Sequence, residues 1–383
     1  MEEQNRTQGE TPAAADGETT MESLLQRGRD AMAAASRFLR RLLPRASRRL
    51  AARGPVEGRG AADVQEKQAF AVYCDADRSL RFYRRAEVPQ EGESFEGRTV
   101  DEVYTGHSFT DGAMGAPLLR RRPWGHHAYD VETVEVVDEG IAPESTARWF
   151  SAFERMAFCD LSKLDTSRVT SMAAMFDECW SLESLDLSGF DTSNVGDMNW
   201  MFRRCSSLES LDLSGFDTGN VKDMHAMFAY CSSLAALDLS GFDTSRTENM
   251  AYMFAGCESL KELDLSGFDT ARVEDMTGMF RGCSSVKTLD LSDFDTGNVE
   301  DMSSMFEDCK SLTGLDLASF DTGNVKYMHT MFAYCSSLAA LDLSGFETGN
   351  VEDMGDMFRR CSRLVSLDLS GFDTSRTEDM AYM

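Results

Sequence analysis

The chain has 383 residues, of which 65 are acidic and 38 are basic, and its formal net charge at pH 7 is −27. This balance makes the molecule as a whole a poor partner for nucleic acid, and no nucleic acid is expected to bind through the acidic repeats, because nucleic-acid binding needs a net basic face. Hydrophobic residues make up 42% of the chain. That share excludes disorder throughout and provides for a sizeable core.

The N-terminal residues 1–66 are predicted to be disordered. The first residues are acidic and polar, and as written they are not a secretory signal. Residues 24–54 contain nine Arg and one Asp. This Arg-rich segment is interpreted either as a helix that binds a membrane surface or an anionic polymer, or as a solvated linker. The chain contains no run of 18 apolar residues, so no transmembrane segment is predicted.

Residues 67–130 are predicted to form a small β-rich cap. Alternating apolar residues indicate a hairpin of Ala69–Cys74 and Leu80–Arg85, followed by a loop with Arg120–Arg122 and His126–His127. An open stack of repeats must cover its first hydrophobic layer. We therefore expect this segment to lie on one end of such a stack.

The rest of the chain is periodic. A Met-Phe pair recurs every 26 residues from Met175 to Met357, and a Cys stands four residues after each Met. The period gives nine units from residue 149 and the first residue of a tenth. Two less regular segments extend the repeat region to residues 131–383. This periodicity overrides the two or three globular domains that length alone predicts.

One unit is predicted to hold a strand, a turn and a short helical segment. Leu208–Leu213 alternates inward and outward as a strand does. Asp217–Asn220 supplies turn residues. Val221, Met224, Met227, Phe228 and Cys231 then form an apolar stripe at helical spacing. Stacked units would form an α/β solenoid with a parallel strand ladder on one face and short helical turns on the other.

The motif LDLSGFDTSNVxDMxxMFxxCxSL, read from residue 185, resembles the 26-residue repeat of bacterial surface proteins in the BspA-like leucine-rich-repeat group. The resemblance covers about residues 131–383. It implies a right-handed leucine-rich-repeat solenoid in a cell-surface or secreted protein that binds molecules of a host or neighbouring cell, without catalysis. Phe stands where leucine-rich repeats usually carry Asn, as at Phe190, so no Asn ladder is expected.

The sequence predicts neither an enzyme active site nor a metal-binding site. The Cys and Met columns suggest soft-metal ligands, but the same residues occupy inward positions, where they pack as apolar groups. We therefore predict free, buried thiols and no cofactor or metal. The five histidines form no ligand-spaced set, and GxSxG and HExxH motifs are absent.

Two acidic columns run along the repeats. The column from Asp191 to Asp373 falls at the turns, where Asp accepts backbone hydrogen bonds. The other falls at outward strand positions, where like charges repel and no turn role is evident. It is the candidate surface for a cation or a basic ligand, although a tolerated solvated residue is the alternative. Its members are Asp186, Asp212, Asp238, Asp264, Asp290, Asp316, Asp342 and Asp368.

The predicted function is recognition of a macromolecule, a protein or a glycan on another cell, through the extended acidic face. Residues 149–383 hold 40 acidic and 17 basic residues, a net charge of −23. The alternatives are an intracellular interaction scaffold, favoured by the absence of a signal sequence, and a membrane tether through the Arg-rich segment. Location is therefore predicted as cell surface or secreted, with the cytoplasm as the alternative.

The last repeat is expected to expose its apolar layer, which includes Leu367, Leu369, Phe372 and Met380. An exposed apolar layer of this kind predicts either a fragment or end-to-end self-association.

Overall fold

The computed structural model describes residues 66–105 and 122–383. The predictions for the N-terminal region, including the Arg-rich segment, fall on residues 1–65 and lie outside the described residues. So do Arg120 and Arg121 of the predicted loop. Among the described residues, no helix has the length and apolar character needed to cross a bilayer.

The region that follows residue 66 is built around a five-stranded sheet. The predicted hairpin is confirmed, because β1 and β2 pair antiparallel from Gln68 with Arg85 to Cys74 with Ser79. The sheet order is β5-β1-β2-β6-β7, and β3 pairs with β4 separately. These strands are β1 (Gln68–Cys74), β2 (Ser79–Arg85), β3 (Ser94–Phe95), β4 (Arg98–Thr99), β5 (Glu102–Thr105), β6 (Thr133–Val136) and β7 (Phe158–Asp160).

The sheet joins the hairpin to the first repeats. Strand β6 pairs in parallel with β2 and with β7, so the sheet changes from antiparallel to parallel in the middle. Beneath it, the ring of Phe82 stacks on Trp149 at 5.4 Å and meets Trp124 edge-on at 5.2 Å. All three side chains are fully buried. The hydrophobic core therefore continues from the hairpin into the repeats, while the division into three domains stays a prediction.

The repeat stack, residues 144–383, has its backbone ladder on one side, here called the turn side (residues 197–205 and their equivalents at intervals of 26). Parallel bridges connect Asp197 to Asp223 and continue at the same interval to Asp379. Between neighbouring units, alternate N–H groups donate to carbonyls 25 residues later. Examples are Met172 to Asp197, at 3.0 Å, and Phe176 to Met201, at 2.9 Å.

The predicted helical segments are wrong. The described residues contain two short 3₁₀ helices, Asp75–Asp77 and Pro123–His127, and neither lies in the repeats. On the turn side the chain makes successive tight turns, and two residues per unit, such as Ala226 and Tyr230, have positive φ. Left-handed residues interrupt a right-handed helix. Alternate amide hydrogens also donate to the next unit, so they are not available for bonds within a helix.

The predicted strand ladder is also largely wrong on the strand side (residues 208–213 and their equivalents). Beyond β7 only β8 (Ala236–Leu237) and β9 (Glu262–Leu263) form paired strands there, together with one bridge from Ala340 to Ser366. The alternation of side chains is nevertheless correct. Leu208, Leu211 and Leu213 are buried, as the sequence predicts.

Stacked aromatic rings form the centre of the repeat stack. From Phe176 to Phe358, the second residues of successive Met-Phe pairs lie face to face at 5.6 to 5.9 Å, with planes within 9° of parallel. The Phe residues that stand in place of Asn, including Phe190, are buried beside the strand-side leucines. In the last unit Leu367, Leu369 and Phe372 are half-buried, and Met380 is 45% exposed.

Candidate functional site

The strand-side acidic column has a local role that the sequence did not suggest. The Oδ1 atom of Asp212 accepts the backbone N–H of Ser214 at 3.1 Å and its hydroxyl at 2.7 Å. The same two hydrogen bonds, from the serine two residues later, are made to Asp186, Asp238 and Asp290. The expectation that this column has no turn role is therefore wrong. The carboxylates remain at the surface, and all except Asp212 are exposed.

These hydrogen bonds set the charge state of the column. Bonds from the following serine lower the pKa of Asp264, Asp290, Asp342 and Asp368. An ionised carboxylate accepts a hydrogen bond better than a neutral one, so the bonds favour the charged form. The turns of these four repeats therefore hold their carboxylates in the charged form.

The second acidic column has the turn role that the sequence predicts. Asp217 accepts the N–H of Gly219 at 3.1 Å, and Asp191 accepts both the N–H and the hydroxyl of Ser193. Serine bonds lower the pKa of Asp191, Asp243 and Asp373. Both columns are thus parts of the same type of turn, placed five residues apart in each repeat.

A threonine ladder replaces the missing Asn ladder, and the sequence analysis missed it. The hydroxyl of Thr192 donates to the carbonyl of Asp217 at 2.9 Å and accepts the N–H of the same residue at 2.8 Å. Thr166, Thr192, Thr218, Thr244 and Thr322 each satisfy one backbone N–H and one carbonyl of the next unit in this way. The signal was present, because a Thr follows the second-column residue in every repeat. Threonines with the outgoing bond are Thr166, Thr192, Thr218, Thr244, Thr270, Thr296, Thr322 and Thr348.

A third carboxylate column, on the turn side, was also missed. Asp197 accepts the N–H of Asn199 at 3.0 Å, and Asn249 makes the equivalent bond to Ala251 at 2.9 Å. Burial, with a smaller contribution from Asp223, raises the pKa of Asp197. The pKa of Asp197 is thus shifted in the direction opposite to that of Asp264 on the strand side.

The repeat cysteines are free thiols with hydrogen bonds, in agreement with the prediction. The Sγ atom of Cys231 donates to the carbonyl of Phe202 at 3.1 Å, and the same bond, to a carbonyl 29 residues earlier, recurs from Cys179 to Cys361. Burial raises the pKa of Cys257 and Cys309 to about 12. Protonated thiols are poor nucleophiles and poor metal ligands.

An open groove crosses the turn side. Its volume is about 520 Å³, and Tyr230 and Tyr334 lie at its two ends, with Gly256 and Gly282 between them. The two glycines occupy positive-φ positions that carry side chains in other repeats, such as Tyr230 itself. At Gly256 the ring of Tyr230 occupies the space of the absent side chain, since a Cβ atom there would lie 2.6 Å from it. Exposed tyrosine beside Arg281 is a composition typical of protein-binding surfaces.

A second cluster of polar side chains lies beside the five-stranded sheet. Glu102 of β5 faces His126 and His127, which lie in the 3₁₀ helix, with Oε–Nε2 distances of 2.9 and 3.1 Å. The sequence analysis found no ligand-spaced histidines, because Glu102 is separated from them by more than twenty residues. Burial, and next the neighbouring His126, lower the pKa of His127.

Comparisons with known proteins identify the repeats. A family model described as "Mycoplasma protein of unknown function, DUF285" matches residues 144–262, 209–314, 235–339 and 285–383. The matches overlap, and together they span more than half of the chain. The chain belongs to the DUF285 family. No curated protein matches it. A leucine-rich repeat protein from Bacteroides ovatus ATCC 8483, known from a crystal structure, is 15% identical, with a TM-score of 0.40, over 79% of this chain and 81% of that one.

The DUF285 repeats are thus held together by polar groups as well as by their core. Backbone bonds on the turn side, threonine hydroxyls and cysteine thiols each connect one repeat to the next. The eight predicted site residues lie on the opposite side and bond only within their own repeat where a bond is described. Seven of the eight, all except Asp212, are exposed to solvent.

Proposed function

We propose that this DUF285 protein is a non-enzymatic recognition protein whose repeats form a solenoid of the BspA-like leucine-rich-repeat type. A partner macromolecule would bind along the strand side of the repeat stack. The observation that carries the proposal is the row of serine-held carboxylates. Asp238, Asp264 and Asp290 are three exposed members in consecutive repeats.

The row favours a partner with a basic surface. Each carboxylate is already held by its turn, so little side-chain entropy is lost when a partner binds. The lowered pKa values of Asp264 and Asp290 favour their charged form. Like charges repeated along one direction also attract cationic groups over a longer range than a single pair does. A protein with a lysine- or arginine-rich strand or helix meets these requirements.

The proposal is tested with Lys-rich peptides of increasing length, titrated into the protein by calorimetry at several salt concentrations. We expect the affinity to rise with peptide length, because a longer peptide spans more repeats. The triple variant Asp238→Asn, Asp264→Asn and Asp290→Asn should weaken binding of the longest peptide at least about tenfold at low salt. Asn keeps the oxygen that accepts the serine N–H, so the turns remain.

A charge-matched control separates the row from net charge. Glu248, Glu274 and Glu300 are exposed and also lie in three consecutive repeats, outside the strand-side row. Their replacement by Gln removes the same number of charges. If this control weakens binding as much as the Asp variant does, the peptide responds to overall charge, and the strand-side row is not its binding site.

We also propose that the protein acts at the cell surface, as the resemblance to bacterial surface repeats implies. A protease added to intact cells should then degrade the repeats, and a cytoplasmic marker should stay intact. Protection of the repeats until the cells are lysed would contradict this proposal and favour the intracellular scaffold. The proposed membrane tether concerns residues 24–54, outside the described residues, and stays a prediction.

A further inference from the structure

Three metal-ligating side chains converge at the edge of the five-stranded sheet. Strand β5 pairs with β1 so that Glu102 lies opposite Tyr73. The ring of His127 stacks on Tyr73 with 3.6 Å between centroids. Potential ligand atoms of Glu102, His126 and His127 all lie within 4.8 Å of one another. Sheet pairing and ring stacking thus position the carboxylate and the second imidazole independently.

The hydrogen bonds of His126 fix which nitrogen is free to coordinate. Its Nδ1 atom lies 2.9 Å from the carbonyl oxygen of Pro123, which can only accept, so Nδ1 carries the proton. In the neutral ring Nε2 then has a bare lone pair. That lone pair faces the two carboxylate oxygens of Glu102, at 3.1 and 2.9 Å. Either a proton on Nε2 or a metal ion between these atoms would account for the short distances.

The contact of His127 is less well directed than that of His126. Its buried Nε2 atom lies 3.1 Å from Glu102 without a hydrogen bond of normal geometry. The two imidazole rings lie side by side, with ring centroids 4.1 Å apart. One shared metal ion could therefore contact both rings and the carboxylate.

We propose that Glu102, His126 and His127 form a binding site for a divalent transition-metal ion, with zinc the best match. Two imidazoles and one carboxylate are a ligand set that zinc accepts in proteins, with water in the fourth position. The side chain of His126 is about half exposed, which leaves room for that water. The two histidines belong to the 3₁₀ helix and the glutamate belongs to β5. A metal ion bound by all three would therefore connect the helix to the strand.

The surroundings of the three ligands resemble an outer coordination sphere. The hydroxyl of Tyr104 donates to Oε2 of Glu102 at 2.6 Å and so orients the carboxylate. The bond from Nδ1 of His126 to a backbone carbonyl is the type of contact that holds metal-binding histidines in one tautomer. Both contacts are in place without any rearrangement of the backbone.

The test uses the full chain after dialysis against a chelator, titrated with zinc by calorimetry. We expect one zinc per chain and a melting temperature that rises with added zinc. His126→Gln combined with His127→Gln should weaken binding at least about 100-fold, and Tyr104→Phe about tenfold, because outer-sphere partners contribute less than ligands. The paired control His225→Gln with His329→Gln changes the two repeat histidines and should leave the affinity unchanged.

Cobalt provides a second measurement that does not depend on variants. Cobalt bound by two imidazoles and a carboxylate should give intense visible bands without a thiolate charge-transfer band, which also excludes the cysteines as ligands. Absence of zinc binding by the parent protein, or equal affinity in the His126/His127 variant, would overturn the proposal. If that variant does not fold, a weak, octahedral cobalt spectrum of the parent would overturn it instead.

Discussion

The two sides of the repeat stack use the same 26-residue period in different ways. On the turn side, backbone groups of each unit bond to the next, for example from Phe202 to Met227 and from Phe228 to Met253. On the strand side, neighbouring backbones are connected by few bonds, such as the 3.3 Å bond from Lys261 to Ala235. Side-chain packing and local turns dominate there. A periodic sequence therefore specifies stacking without specifying which side carries the ladder.

The difference explains why the more regular sequence motif has the less regular backbone. Leu–x–Leu alternation requires only that side chains point inward and outward in turn, and the strand-side leucines do so without a continuous ladder. The turn side carries Met, Phe and Cys at spacings of three and four. Such spacings also arise from consecutive tight turns when two residues per unit adopt positive φ.

The largest expected difference between the two sides concerns core packing. Phe254 is fully buried between Phe228 and Phe280, with ring centroids 5.9 and 5.8 Å away, whereas Leu263 on the strand side is half-buried. Phe254→Ala should lower the free energy of unfolding by about 3–5 kcal/mol. Leu263→Ala should lower it by less than about 2 kcal/mol, since its site is partly solvated already.

Urea denaturation followed by circular dichroism measures both variants. Because each repeat contacts only its neighbours, the repeats around the substitution can unfold separately from the rest of the stack. Hydrogen exchange at the amides of the adjacent units should show loss of protection around Phe254. Equal losses of stability in the two variants would mean that the strand side contributes as much to cohesion as the turn side.

The sequence was sufficient for the features that depend on side-chain patterning. The period, the inward leucines, the hairpin and the free thiols follow from residue spacing alone. The ladder position does not, because it depends on backbone angles at residues such as Ala174 and Tyr230, whose side chains give no hint of positive φ. Glycine would have marked these positions, but only Gly256, Gly278 and Gly282 do so.

The candidate sites were predictable to different degrees. The strand-side carboxylates were found as a column, with hydrogen bonding by the neighbouring serine as part of the alternative interpretation, but the turns that these bonds close were not predicted. The cluster of Glu102 with His126 and His127 was out of reach. It depends on the antiparallel pairing of β5 with β1 and on stacking against Tyr73, neither of which leaves a short-range pattern in the sequence.

The smallest expected difference concerns the charge state of the two sides. The pKa of Asp197 is raised, so the folded state binds its proton more tightly than the unfolded chain does. Ionisation at neutral pH therefore costs stability, and the cost disappears as the pH falls below the usual Asp range. Asp197→Asn should leave stability unchanged or raise it by less than about 1 kcal/mol at pH 7. Asn249 already shows that Asn makes the same turn.

Asp264 on the strand side should behave in the opposite way. Its pKa is lowered by the backbone and hydroxyl of Ser266, so its contribution is present above the usual Asp range and is lost as the pH falls through the folded-state value. Asp264→Asn should therefore be less stable than the parent at pH 7 and equal to it in acid. Urea denaturation of both variants at several pH values measures the two trends. Opposite pKa shifts must change stability relative to the parent in opposite directions at pH 7. If the two variants instead show the same dependence of stability on pH, burial of Asp197 and hydrogen bonding of Asp264 do not shift the two pKa values in opposite directions.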